Sequence, residues 1–145
     1  MNILQPSDPY RVIRAAPLVF GLHVAEEPPN FVKWFNSLVV DNISQQSLLA
    51  VKGAAFAITL IVTALAASTR ENASIFLALA GLSFLMFANG LFHLTATIVH
   101  GIYSPGAITS ALLYLPYFVW FVWSVIKAKK FSAASIAATI LMGSF

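Results

Sequence analysis

Between Ser74 and Val99 the chain carries no charged side chain, and the same holds from Ala107 to Ile126. A helical run near 20 residues matches a hydrocarbon core of about 30 Å. Inside such a core only a structure that satisfies its own backbone polar groups survives. Leu48 to Ser68 adds a third run interrupted only by Lys52. Arg11 to Glu27 adds a fourth, broken mainly by Arg14 and the residues HVAEE, and Phe131 to Phe145 is apolar but short. Composition points the same way. Of 145 residues, 59% are hydrophobic and 9% charged, where soluble domains carry about 25% charge, and the mean hydropathy is +0.85. No strand-like alternation competes with helical spans.

The expected fold is therefore all-α. It is a polytopic transmembrane bundle of four to five helices in a single domain over 1–145, with helices at about 10–27, 48–68, 74–101, 107–127 and 131–145. The last is expected to be a partial span, or the start of one cut short. A cleaved signal peptide does not fit the first run, because Pro6, Asp8 and Pro9 precede its basic residues and polar EE follows it. With no cysteine, disulfides and thiolate ligands are excluded. The net charge of +3 is a topology signal, since basic residues concentrate on cytoplasmic loops. It does not predict a nucleic-acid partner. An N-terminus in the cytoplasm leaves Arg11, Arg14, Arg70, Lys127, Lys129 and Lys130 inside, against Lys33 and Lys52 outside. The expected setting is a multi-pass protein of a bacterial inner membrane, in contact with lipids and open to homo-oligomer formation.

Helix boundaries follow from local chemistry. Pro9 suits a first helical turn, Pro28 and Pro29 stop the first helix, and YSPG at 103–106 makes a tight turn. Pro116 is expected to bend the fourth helix. In the linker at about 30–46, Phe31, Trp34, Phe35, Leu38, Val39 and Asn42–Ile43 follow helical spacing, opposite Lys33, Asn36 and Asp41. The pattern predicts an amphipathic interfacial helix, either a simple anchor or a lid over a site. Ala133, Ala134, Ala137 and Ala138, with Gly90 and Gly101, are expected to allow close helix packing.

The polar residues gather in two places. His23, Glu26 and Glu27 stand at i, i+3 and i+4 on one helical face, and Asn89, His93 and His100 stripe the third helix. At 1.5 Å per residue, Glu27 stands about 24 Å above Arg11 and Asn89 about 26 Å above Ala73. The two groups thus share one depth, in the outer half. Ionisable residues in a span are costly and usually face each other or an ion. Three imidazoles and two carboxylates suit zinc, iron or manganese. A mononuclear site would draw on His23, His93, His100 and one of Glu26 and Glu27. The other glutamate would act as general base. Alternatively, both glutamates bridge two metals. Asn89 would orient a ligand or a substrate carbonyl, and Tyr103 lies near enough to take part. Plainer roles are also open: solvated Glu26 and Glu27 stopping a helix, an interfacial His100, and hydrogen-bonded core histidines.

HVAEE, followed by Asn89-x-x-x-His93 and by His100 with Tyr103-Ser104-Pro105-Gly106, resembles the HXXEE family of small bacterial integral membrane proteins. The resemblance runs from the first helix to the fourth. It implies a fold and a residue set, and no reaction. The function expected from the residues is an intramembrane metal-dependent enzyme, a hydrolase or oxidoreductase, acting on a lipid or isoprenoid. The alternatives are a proton-coupled carrier and a subunit holding haem or another cofactor, for which absorbance is the cheap test.

Overall fold

The computed structural model describes residues 8–28, 30–38 and 43–145, and these are helical with short connections. Helix α1 is Pro9–Val12, followed by a 3-10 turn at Ile13–Ala15 and helix α2 at Ala16–Glu26. A short α3 spans Phe31–Leu38, and α4 spans Gln45–Thr69. Then come α5 at Asn72–His100, α6 at Ala107–Lys127 and α7 at Ala133–Gly143. Helices α4, α5 and α6 are long and apolar enough to cross a membrane, which points to a membrane protein. The outer surface suits that role. Ile98 is 80% exposed, Leu112 68% and Leu18 67%, an apolar coat that water would penalise.

Caps explain the starts. Asp8 Oδ1 accepts from the Tyr10 amide at 3.1 Å and Pro9 fills the first turn of α1. Ser44 Oγ accepts from the Ser47 amide at 3.0 Å, so α4 begins at Gln45, three residues before the apolar pattern predicts. Ser132 caps α7 in the same way, moving its start from 131 to Ala133. The proline at position 17 has no N–H and crowds the carbonyl four residues back, and a 3-10 turn stands in front of it. There the Ala16 amide turns to the Ile13 carbonyl. The Val12 carbonyl is taken instead by Tyr117 Oη at 3.0 Å, from α6.

The lower bundle is sealed by Ile13, Ala16, Ile75, Leu79, Met86, Phe118, Phe121 and Val125. At its far end Arg70 pairs with Asp8 at 2.6 Å, and Lys130 Nζ donates to Tyr10 Oη at 2.6 Å while lying over the same ring. Arg70 and Lys130 thus both reach the Tyr10 ring.

Some expectations need correction. The linker helix is eight residues, Phe31–Leu38, not about 30–46. Asn36 pairs both ways with the Ile43 backbone at 3.0 Å, and Gln45–Gln46 already belong to α4. Val39, Asp41, Asn42 and Pro29 lie outside the described residues. Helix α7 buries Ile136 and Thr139, while Ala133, Ala134, Ala137 and Ala138 face outward. Its close approach is made by Gly143, where a Cβ would come within 2.6 Å of the Ala80 carbonyl. Gly90 does pack tightly, against Leu115, but nothing stands near Gly101, which ends α5 with φ +64°.

Candidate metal centre

Helix α2 sets His23 and Glu27 one turn apart, and both are buried. On α5 a π-helical segment, Ser83–Ala88, immediately precedes Asn89 and His93. A second π segment, Ser110–Tyr114, opens α6 just before Pro116. Such bulges recur at functional sites because one extra residue re-aims the side chains beyond it. Here they flank the point where α2, α5 and α6 converge.

Glu27 Oε1 stands 3.4 Å from His23 Nε2 and 3.3 Å from His93 Nε2. The ligand atoms of the three residues all lie within 4.8 Å of one another, so the group could hold a metal ion. Donors about 2.0–2.1 Å from a tetrahedral zinc stand about 3.3–3.4 Å apart, close to the two spacings from Glu27 to the histidines. Two atoms of the group, Glu27 Oε2 and His93 Nε2, are buried without a hydrogen-bond partner, and the histidine nitrogen faces Glu27 Oε1. A buried polar atom left so costs about 1–3 kcal/mol, and a cation held between the three residues would satisfy the His93 nitrogen.

The outer nitrogens are held by hydroxyls. His23 Nδ1 is 2.8 Å from Thr109 Oγ1, and His93 Nδ1 is 2.9 Å from Ser104 Oγ. Thr109 also donates its hydroxyl proton to Glu26 Oε2 at 2.5 Å, so towards His23 it can only accept. The network therefore assigns the His23 proton to Nδ1 and leaves the Nε2 lone pair facing inward. That is how metal-binding histidines are commonly oriented. Asn89 Nδ2 reaches the same Nε2 at 3.3 Å.

Glu26 turns away from the centre. It accepts from the Thr109 amide at 2.8 Å, from the Ile108 amide at 3.3 Å and from the Tyr103 hydroxyl. Burial and the Glu26 carboxylate push Tyr103 up to about 12, so it stays a donor. The three HVAEE ionisable residues thus split: His23 and Glu27 enter the centre, while Glu26 braces it through Thr109. The structure does not bring both carboxylates to one metal position, so a dimetal bridge has no geometry here. His100 is likewise left out. One i+7 step, about 10 Å up the axis from His93, carries it past the cluster to the exposed end of α5.

Lys52, Tyr114 and Thr109 take part without a site signal recognised in the sequence, and Ser104 is legible only as part of the YSPG turn. Lys52 Nζ donates to Glu27 Oε1 at 2.7 Å and sits 5.5 Å from the Phe31 ring centroid. A single charge in an apolar span is itself a sign of such a partner. Tyr114 stacks on His23 with centroids 3.9 Å apart. Thr109 and Ser104 are ordinary hydroxyls by sequence. Phe31 of α3 covers His93 at 5.8 Å and, with Trp34 and Phe92, closes the centre on that side. Gly106, at φ +102°, brings the turn so close that a Cβ there would lie 2.8 Å from His93 Cε1 and 2.9 Å from His23 Cε1.

A family model described as a protein of unknown function with HXXEE motif matches residues 14–121. No curated protein and no solved structure matches.

Proposed function

We propose, for a chain that belongs to the HXXEE family of proteins of unknown function, an intramembrane metal-dependent enzyme acting on a lipophilic substrate. The observation that carries this reading is the buried triplet itself: two imidazoles and a carboxylate whose ligand atoms converge, with His93 Nε2 left unpartnered among them. Two histidines and one carboxylate match the ligand sets of catalytic zinc and of non-haem iron, both of which keep a coordination position open. Zinc supplies Lewis acidity for hydrolysis, and ferrous iron supplies oxidative chemistry.

The protein's own residues would divide the remaining work. Thr109 and Glu26 hold the proton of His23 at Nδ1. Asn89 offers an amide to a substrate carbonyl, and Phe31 keeps bulk water from His93. Helix α3 then acts as a lid in the outer interface. The N-terminus is cytoplasmic, in a multi-pass protein of a bacterial inner membrane, as the six-to-two division of Lys and Arg favours.

A second reading, a proton-coupled carrier, draws on the 2.7 Å pair of Lys52 and Glu27, since intramembrane ion pairs can pass protons. The apolar seal around Leu79, Met86 and Phe121 favours a centre reached from one side. The test is metal content by mass spectrometry on detergent-purified protein. About one equivalent of a transition metal is expected in the wild type and in His100→Ala, and none in His23→Ala or His93→Ala. An empty wild type after reconstitution with Zn2+ or Fe2+ sinks the enzyme reading and leaves the carrier.

A further inference from the structure

A cavity of about 330 Å³ opens beside the centre, lined by Phe20 of α2, by Val51, Lys52 and Ala55 of α4, and by Phe84 and Asn89 of α5. Its mouth lies on the apolar coat, where Val51 is 66% and Phe84 57% exposed. Every lining residue is apolar except Lys52 and Asn89, and both of these touch the centre. Lys52 Nζ is bonded to Glu27, and Asn89 Nδ2 reaches His23. The cavity therefore runs from the lipid-facing surface to a polar end one side chain away from the candidate metal position.

The geometry points to this cavity as the site for a single apolar chain that ends in an acyl carbonyl, a carboxylate or an ester, entering sideways between α4 and α5. This rests on reading the His23–Glu27–His93 cluster as the reactive centre. Size argues for one chain, since small-molecule sites span about 300–1,000 Å³ and this one lies at the low end. Polarity argues for the head. An ammonium and an amide NH2 offer donors, which an acyl oxygen accepts. Lys52 is the one cation lining the cavity and is already partly neutralised by Glu27, which suits a neutral ester or a single negative charge better than a phosphate. Depth agrees as well. Lys52 lies seven residues into α4, about 10 Å below its start at Gln45, where a carbonyl just beneath a lipid head group would meet it.

The probe is a diazirine analogue of palmitic acid, photolysed with the detergent-purified full-length chain and mapped by peptide mass spectrometry. Saturable labelling is expected near Val51–Ala55 and Phe84–Asn89. Palmitic acid or methyl palmitate should compete and hexadecane should not; whichever competes better tells acid from ester. Filling the cavity with Ala55→Trp, or with Ala88→Leu if that variant does not fold, should abolish labelling with metal content retained. Labelling spread evenly over the exposed faces of α4, α5 and α6, or hexadecane competing as well as palmitic acid, would mean annular lipid and overturn the inference. Localised, head-dependent labelling of a protein that binds no metal would remove the metal reading and leave the acyl site standing.

Discussion

Replacing Gly106 by alanine tests the centre at its tightest point. The position has φ +102° and ψ −10°, and holding a non-glycine residue in so sparsely populated a region costs about 1–3 kcal/mol. The added Cβ would start 2.8 Å from His93 Cε1 and 2.9 Å from His23 Cε1, where carbon atoms prefer about 3.5–4.0 Å. Rings or turn must therefore move by roughly 0.7 Å or more. Neither imidazole yields freely, because Tyr114 stacks behind His23 and Ser104 holds His93. Overpacking of this kind costs about 1–3 kcal/mol. The sum, about 2–6 kcal/mol, corresponds to a melting point lowered by roughly 5–20 °C for a chain of this size. Displaced ligands should also weaken zinc binding by about 10–100-fold, as disturbed outer contacts do. Gly101→Ala is the control: φ is +64° there and no atom stands within 4 Å, so it bears only the left-handed cost of about 1–2 kcal/mol. Thermal unfolding in detergent and zinc titration would be run on both variants. A Gly106→Ala protein as stable as Gly101→Ala, with wild-type zinc affinity, would refute the packing of this turn on the two rings.

Two further substitutions differ in whether they touch the centre. Thr109→Val removes the hydroxyl between His23 and Glu26 and leaves the buried His23 Nδ1 without its partner, so metal affinity should fall about 10–100-fold and stability by about 1–3 kcal/mol. Thr109→Ser should restore both, and equal losses in the two variants would show that packing rather than the hydroxyl matters. Tyr117→Phe leaves the Val12 carbonyl without its donor, at a cost of about 1–3 kcal/mol. Its metal content should equal that of the wild type, and an unaltered melting point would mean that the 3-10 turn satisfies itself.

Long uncharged runs betray helices because a membrane tolerates little else, and so α4, α5 and α6 are plain from sequence within a few residues. Exact starts are less plain where one serine hydroxyl decides them, as Ser44 does for α4 and Ser132 for α7. His23, Glu27 and His93 could be singled out because each is costly in an apolar run and all sit at one depth. Glu26 and His100 show the limit of that logic. Residues at i+3 or i+7 share a face, yet a face is wide and a helix long, and a centre about 5 Å across takes only part of either. Thr109 is invisible for a different reason, and Ser104 and Gly106 are legible only as parts of the YSPG turn. Their roles depend on how the 101–106 turn folds back onto two other helices, and no periodicity encodes that.

The π segments at Ser83–Ala88 and Ser110–Tyr114 make α5 and α6 each two rods in one. An extra residue shifts the angular phase of everything beyond it by about 100° relative to an unbroken helix. The lower half of α5, through Ile75, Ala78 and Leu79, can then keep its own wheel for the apolar seal, while Asn89 and His93 obey another. Deleting a single residue within either segment would re-synchronise the halves and swing the upper one round, with the fold's lower contacts intact and the metal-facing edges turned towards lipid. The bundle and the centre are thus indexed separately along the same helix.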